Sequence, residues 1–520
     1  MTSTPAHQER RRIVAFLVFC VCAYLLSASG RIVFPDDEIV FQTSEALVER
    51  GSLDIEGIPR RTGEPKGRPN GTFGWAPGPD GARYGFFGHG LSVVAMPMVV
   101  AGGHAAEHAP PQWKHAIRSD HFFVHRRSQR ADWTRLIVSL TNCLLTPLAT
   151  LLLVTWVRRL GYTAGTALVV GAAYGLGTLA WPYTRTFLSE PLSTIALVGA
   201  ALCVTIHHQR RAEASPAAAR WLYAAAAIMG LSVHVHLLNI VAVPAFVGYA
   251  LAPAWSQRHD MARTWAIALL LGALGLASLG WSQYLRFGSP FESGRFGYYS
   301  HFVVPGLELL ALFFSPGRSL WLTSPILLGA LVGWRALWRR VPAVAWFSAA
   351  VVLTRLVFVA ARSDWWGGWA IGPRFLLPVV PFTLLPLAAA WEHGSRRRRL
   401  GLAVLLAASI ALQAHLAQHS IFEWMVTLHG STPDDPGYLW VSHWTLRGSP
   451  AWGFVAQKPD LLLNGARRLA AVGYPGLWRI FLAVGVGAVS SLAALLWWSR
   501  TPRLRQAAGA GDSPRDEQQA

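Results

Sequence analysis

Charge is scarce in this 520-residue chain: 14% of its residues are Asp, Glu, Lys or Arg, against 52% hydrophobic. A soluble fold of that size does not need so much apolar surface, so lipid is expected to be the solvent. Acids are the scarcer sign, with 27 Asp plus Glu against 46 Lys plus Arg. The excess of base does not imply nucleic acid, because the basic residues stand in short runs between apolar stretches; the positive-inside rule accounts for them better. Cysteine is also sparse. All four, Cys20, Cys22, Cys143 and Cys203, fall in apolar segments, so neither a disulfide framework outside the cytoplasm nor a thiolate metal site is implied. No Walker loop, dinucleotide fingerprint or Ser nucleophile elbow can be placed, and no internal repeat is evident.

What is abundant is apolar runs. A crossing helix needs about 17 to 25 residues, and candidates lie near 13 to 30, 135 to 157, 163 to 181, 190 to 206, 221 to 234, 237 to 253, 264 to 283, 319 to 334, 342 to 361, 374 to 391, 400 to 420 and 477 to 498. The expected fold is an all-α polytopic membrane protein of about 12 transmembrane helices. Arg10, Arg11 and Arg12 precede the first run and place the N-terminus in the cytoplasm. That run resembles a signal peptide, with small residues Ser27, Ala28, Ser29 and Gly30 at its end, but an uncleaved span keeps the parity of everything downstream. Each loop then predicted to be internal is basic: Arg158 and Arg159, Arg210 to Arg220, Arg258 and Arg263, Arg335 to Arg340, Arg396 to Arg399, Arg500 to Arg505. The same bookkeeping demotes 86 to 106 from a span to a helix lying in the interface. Counting it as a span would put the arginine runs outside.

The expected organisation is a cytoplasmic N-terminus at 1–12, a catalytic membrane module at 13–400 including an external loop at 31–134, C-terminal spans at 401–499 with an external loop at 421–476, and a disordered cytoplasmic tail at 500–520. Both termini are cytoplasmic, in an inner or plasma membrane, and the outer face is the working face.

Polar residues unusual for a membrane protein collect on that face. The first loop opens with FPDDE, where Asp36, Asp37 and Glu38 adjoin at the membrane boundary. Mutual repulsion and lost solvation raise the pKa of at least one toward that of a useful base. The alternative is a helix cap, in which acids in a first turn contribute about 0.3 to 1 kcal/mol through the dipole. In WPYTRTFLSEP, Arg185 and Glu190 are either a site pair or a rim ion pair. RFGSPFESGRFGYYSHF and FSPGRS carry Arg286, Glu292, Arg295, Tyr298, Tyr299 and Arg318, and RSDWWGGWAIGPR carries Asp364, Trp365, Trp366, Trp369 and Arg374. The tryptophans read as an interfacial belt or as a stacking wall for a sugar ring. External arginines oppose the positive-inside trend and suit bidentate phosphate binding. His104, Glu107 and His108 match the H-x-x-E-H string of some zinc peptidases, with His115, His121 and His125 nearby; a polar loop explains them as well, and no metal site is assigned.

These blocks resemble those of the C-type (GT-C) membrane glycosyltransferases, which include protein O-mannosyltransferases and bacterial aminoarabinose lipid A transferases. FPDDEIVFQTSEALVERGS is similar to the family's acidic first-loop signature, and DGARYGFFGHGLSVVAMP to its interfacial segment. GTLAWPYTRTFLSEP, RFGSPFESG, FSPGRSLWLTSP and GGWAIGPRFLLPVVPF resemble further blocks, in order, from Phe34 to Phe382. The resemblance implies interfacial helices in the first external loop and transfer of a sugar from a polyprenyl-phosphate donor to a hydroxyl of a glycan, lipid or protein acceptor on the outer face, with inversion. It implies that Asp36, or else Asp37, takes the acceptor proton, that Glu190 orients that acid and that Arg185 sets its electrostatics. Substrate contacts would come from Glu38, Tyr84, His89, Arg185, His236, Arg295, Arg318, Trp366 and Arg374. Two departures stand out: Phe86 and His236 occupy positions where members often carry basic residues, so phosphate contacts would rest on Arg374, Arg295, Arg83 and the two histidines. A divalent cation is left open, membrane lipid is an expected partner and nucleic acid is not. The rival reading is a polytopic transporter or lipid flippase, but transporters place ionisable residues at the midplane between broken helices, whereas here they gather at one surface.

Overall fold

The structure is a computed structural model that describes residues 5–56, 74–110, 113, 129–252, 262–295, 301–430 and 437–509. His115, His121, His125, Tyr298, Tyr299 and the last part of the tail lie outside these residues.

The chain is a bundle of helices. From the N-terminus these are α1 (Pro5–Ser27), α2 (Pro35–Arg50), a two-stranded antiparallel ribbon of β1 (Trp75–Pro77) and β2 (Arg83–Gly85), α3 (Gly90–Val94), α4 (Met96–His108), α5 (Gln129–Ser139), α6 (Thr141–Arg159), α7 (Ala164–Gly177), α8 (Glu190–Ala212), α9 (Ala218–Val235), α10 (Val243–Leu251) and α11 (Ala262–Phe287). The second half contributes α12 (Leu307–Phe314), α13 (Leu320–Thr323), α14 (Ile326–Leu331), α15 (Trp334–Arg340), α16 (Pro342–Ala360), α17 (Val380–Glu392), α18 (Arg396–Leu416), α19 (Ile421–Gly430), α20 (Gly437–Trp444), α21 (Pro450–Gly453), α22 (Leu462–Ala471) and α23 (Gly476–Gly509).

Among the described residues, eight helical stretches are long and apolar enough to cross a membrane. All twelve sequence-read runs fall on helical structure, but several are not single long helices. The run at 163 to 181 forms the 14-residue α7, and that at 237 to 253 is a 3-10 turn continuing into α10, together Leu237–Leu251. The run at 319 to 334 is broken between α13 and α14 at Ser324 and Pro325, because proline's ring and missing N–H do not let a helix pass through it undisturbed. Neither α3 nor α4 is long enough to span. Both pack on α2, and α3 also on α9, as the parity argument required.

Two of the expected boundaries fall within helices. A division at 400 falls inside α18, which packs on α7, α14 and α17 and is part of the same body. The tail expected to be disordered from 500 instead continues α23 to Gly509; its Arg, Leu, Gln and Ala residues are good helix formers that simply extend the preceding turns.

The most enclosed spans are Glu190–Ala212 and Arg374–Glu392, the latter a 3-10 turn at Arg374–Val379 leading into α17. Both begin on a charged residue at the same end of the bundle. The short helix α2 lies across that end, started by Pro35 in the first turn and stopped by Gly51 at φ 63°.

One ion pair ties α2 to the bundle. Glu38 accepts from Arg135 at 2.7 and 3.0 Å, both side chains are buried, and the guanidinium lies over the Phe41 ring at 4.5 Å. Removing one member of such a pair leaves the other charge buried and unmatched, at a cost of about 3 to 5 kcal/mol. Glu38→Gln is therefore expected to lower the thermal unfolding temperature of the purified protein markedly, and an unchanged unfolding curve would deny the tie.

Candidate active site

Asp36, Asp37 and Glu38 share the first turn of α2, yet the helix has no side-chain cap hydrogen bond and each acid has a partner elsewhere. Asp36 Oδ2 accepts from Arg374 Nη2 at 2.7 Å, and Arg374 Nε lies 3.8 Å from Glu190 Oε1. Asp37 Oδ2 accepts the backbone N–H of Phe187 at 2.9 Å. The three acids thus reach three different segments, and the cap reading accounts only for their common dipole benefit.

Access separates the first two. Asp37 is fully buried, and its Oδ1 has no hydrogen-bond partner. Burial pushes its carboxyl well above the usual range, against the opposing effect of the Phe187 amide. Asp36 is largely covered but keeps 15% of its side chain exposed, where Asp37 keeps none. A base must meet an incoming hydroxyl, and Asp36 is the acid placed to do so.

The loop before Arg374 explains the glycines of WWGGWAIGPR. Gly367 has φ +75°, and a Cβ there would stand 2.7 Å from Arg374 Cγ; Gly372 has φ +60°, and a Cβ would meet Leu179 and Thr323 at 2.8 Å. Glycine lets the backbone fold tightly around the arginine. Tyr183, from the 3-10 turn Pro182–Arg185, donates to the Ile371 carbonyl at 3.0 Å and fixes the same loop to the segment holding Phe187.

The remaining expected contacts divide. Arg295 and Arg362 both bind Asp364, at 3.0 and 2.7 Å. Arg295, Arg362, Arg355 and Arg374 together act on His236, which burial and these cations hold well below its ordinary pKa. Its Nδ1 accepts from the Leu238 amide at 3.1 Å, so the neutral ring carries its proton on Nε2. His89, paired with His234 at 3.0 Å, is pushed down to about 3 by burial and by neighbouring Arg286 and His234. Both rings favour the neutral form, so a phosphate contact from either would be a single N–H hydrogen bond rather than a charge.

Several residues face elsewhere. Glu38 is taken by Arg135, and Tyr84 donates to Asp80 at 2.7 Å on an exposed ribbon. Arg318 is buried and bonds the Ala370 carbonyl, supporting the arginine loop from behind. Trp366 stands edge-on to Trp365 and 5.3 Å from His443. Arg83 is exposed and bonds the Glu56 carbonyl. Arg185 does not pair with Glu190. It bonds the His419 carbonyl at 2.5 Å and Asp460 Oδ2 at 3.3 Å, while Arg31 bridges Asp460 at 2.7 Å and Glu423 at 2.5 Å. Arg185, Asp460 and His419 of this network, with Phe34, Tyr183 and Ile371, line a cavity of about 410 Å³, counting space open to solvent, beside the acidic turn. In α4, His104 lies 3.7 Å from Glu107, both exposed, and among the described residues no three His, Cys, Asp or Glu side chains converge as metal ligands.

Sequence reading missed Arg31, Glu423, Asp460, Tyr183 and Arg355. For the acids at 423 and 460, within a stretch read as plain loop, no spacing marks them. A lone arginine inside the apolar run VVLTRLVFVA was a usable signal for Arg355, since an ionisable residue within a span is costly and rarely idle.

Residues 132–259 match the family model described as the Protein O-mannosyl-transferase TMEM260 N-terminal domain, a segment well under half of the chain. No curated protein matches the chain in sequence. Among solved structures, ArnT from Cupriavidus metallidurans bound to undecaprenyl phosphate is similar with a TM-score of 0.50 at 16% identity, over 96% of this chain and 79% of that one. ArnT from the same organism in the apo state gives a TM-score of 0.46 at 16% identity, over 93% and 75%. At this identity the likeness to the first is one of fold.

Proposed function

We propose that the chain, whose fold is similar to that of ArnT and whose residues 132–259 match a protein O-mannosyl-transferase domain model, is a GT-C membrane glycosyltransferase that moves a sugar from a polyprenyl-phosphate donor to an acceptor hydroxyl on the extracytoplasmic face, inverting the anomeric carbon. The observation that carries this reading is the Asp36–Arg374–Glu190 cluster, where the first turns of α2, α8 and the Arg374–Val379 turn meet at one end of the bundle. Helix starts favour anions, and a guanidinium there offers the planar fork that phosphate accepts. A carboxylate directly beside it is the remaining requirement.

The reaction follows from those positions. Asp36 takes the proton of the acceptor hydroxyl as its oxygen bonds the anomeric carbon from the face opposite the phosphate. The bond from that carbon to the phosphate oxygen breaks in the same displacement, and its electron pair leaves with the polyprenyl phosphate. Arg374 meets the charge left on the phosphate, so no acid is required for this leaving group. Glu190 keeps Arg374 turned toward the acid, and the donor's lipid tail lies between helices. The basic loops favour a topology with both termini in the cytoplasm and this end of the bundle on the other side.

The test is sugar transfer by the purified chain in proteoliposomes with labelled polyprenyl-phosphate sugars. Label is expected to reach an acceptor from at least one such donor. Transfer from nucleotide sugars but from no lipid-linked donor would overturn the reading.

A further inference from the structure

Arg355 is the residue of the molecule most in need of an explanation. It stands in α16, an apolar span, and is 0% exposed. Burying a guanidinium there is unfavourable unless acceptors surround it. Two are present: Nε donates to the Phe375 carbonyl at 2.7 Å, and Nη1 donates to Asn239 Oδ1 at 2.9 Å. Nη2 is buried without a hydrogen-bond partner, as is Oε2 of Glu190.

Both acceptors lead to the site. Phe375 follows Arg374 directly in the 3-10 turn, so Arg355 holds the carbonyl next to the site arginine. Asn239 in turn donates to Ser193 Oγ at 3.3 Å and to the Ser232 carbonyl at 3.0 Å. Ser193 is in the first turn of α8, three residues beyond Glu190. One fully buried chain, Phe375–Arg355–Asn239–Ser193, therefore links the two segments that carry Arg374 and Glu190, with α16 as its anchor. The Arg355 charge also interacts with Glu190, with Arg362 as the like charge nearby.

We propose that Arg355 is a positioning residue that sets Arg374 and Glu190 in register with Asp36, by holding the Phe375 carbonyl with one edge of its guanidinium and the start of α8 through Asn239 with another. It touches neither reacting atom. What the register serves rests on the transferase reading; the register itself does not. A lysine in its place keeps the charge but loses the fork, since one ammonium on a flexible stem does not reproduce two fixed donor directions.

The experiment uses the full chain in lipid nanodiscs, comparing Arg355→Met, Arg355→Lys, Asn239→Ala, Arg374→Ala and the double variant Arg355→Met/Arg374→Ala. Two readouts are taken, affinity for undecaprenyl phosphate and amide hydrogen exchange of residues 372 to 379. Arg355→Met is expected to weaken binding at least tenfold and to speed exchange of that segment, with Arg355→Lys intermediate. In the double variant the two losses should not multiply, because a positioning residue has nothing to act through once Arg374 is gone. Unchanged exchange in a folded Arg355→Met protein, or losses that multiply in the double variant, would overturn the proposal. Should Arg355→Met not fold, Asn239→Ala carries the same expectations at smaller size and the same refutation. If the unaltered protein fails to bind undecaprenyl phosphate while exchange still rises in Arg355→Met, the register stands and the transferase reading falls.

Discussion

Asp36→Asn is expected to reduce sugar transfer by about 10²- to 10⁴-fold, the range over which a positioned base acts. The substitution is nearly isosteric, and the amide oxygen still accepts from Arg374, so membrane insertion and the 2.7 Å contact should survive. What disappears is the ability to take a proton. Asp37→Asn is the internal control. Asp37 is buried, its carboxyl is held toward the neutral form, and its one partner is an amide N–H that an asparagine oxygen also satisfies. Its loss of activity should be no more than a few-fold. The pair is read by initial rates in proteoliposomes with saturating donor. Full activity in Asp36→Asn would remove it as the base, and a reversed order would transfer the role to Asp37.

Arg374→Ala should cost about 10²- to 10³-fold in turnover, comparable to removing one donor from an oxyanion site, and should weaken donor affinity as well. Two carboxylates lose their shared cation at once: Asp36 at 2.7 Å and Glu190 at 3.8 Å. Arg374→Lys should restore little of it, because an ammonium reaches one oxygen where the fork spans Asp36, Glu190 and an incoming phosphate. Normal donor affinity and turnover in Arg374→Ala would show that phosphate is held elsewhere, with the arginines around Asp364 the next to examine.

The residues that converge at this end of the bundle were more legible in the sequence than their surroundings. Asp36, Glu190 and Arg374 were each visible because charge is rare in such a chain and each stands next to an apolar run. Their mutual contact was not visible, since no spacing relates positions 36 and 374. Glu38 looked like a third site acid by adjacency alone; a helix sends successive side chains about 100° apart, and Glu38 consequently points at Arg135. His89 and His236 were read as phosphate contacts from their place in the blocks; solvation decides whether a histidine carries charge, and burial beside arginines favours the neutral ring in both. Arg185 was paired with Glu190 because they are close in sequence, whereas its partner, Asp460, is 275 positions away. The spans were legible as composition, but their interruptions followed proline and packing, as between α13 and α14.

The contact between Asp36 and Arg374 closes a loop of 338 residues. A ribosome feeding this chain into a membrane releases the acidic turn early and the arginine only after most of the bundle exists. Until then the α2 end holds carboxylates with no opposing cation from the second half, so on the transferase reading the centre cannot work while the spans are still being threaded. Any truncation before the arginine loop should give a membrane-embedded but chemically silent protein. Conversely, two fragments should regain activity only where they reassemble this ion pair, alongside the Arg31 and Arg185 contacts to Asp460 that also join the halves.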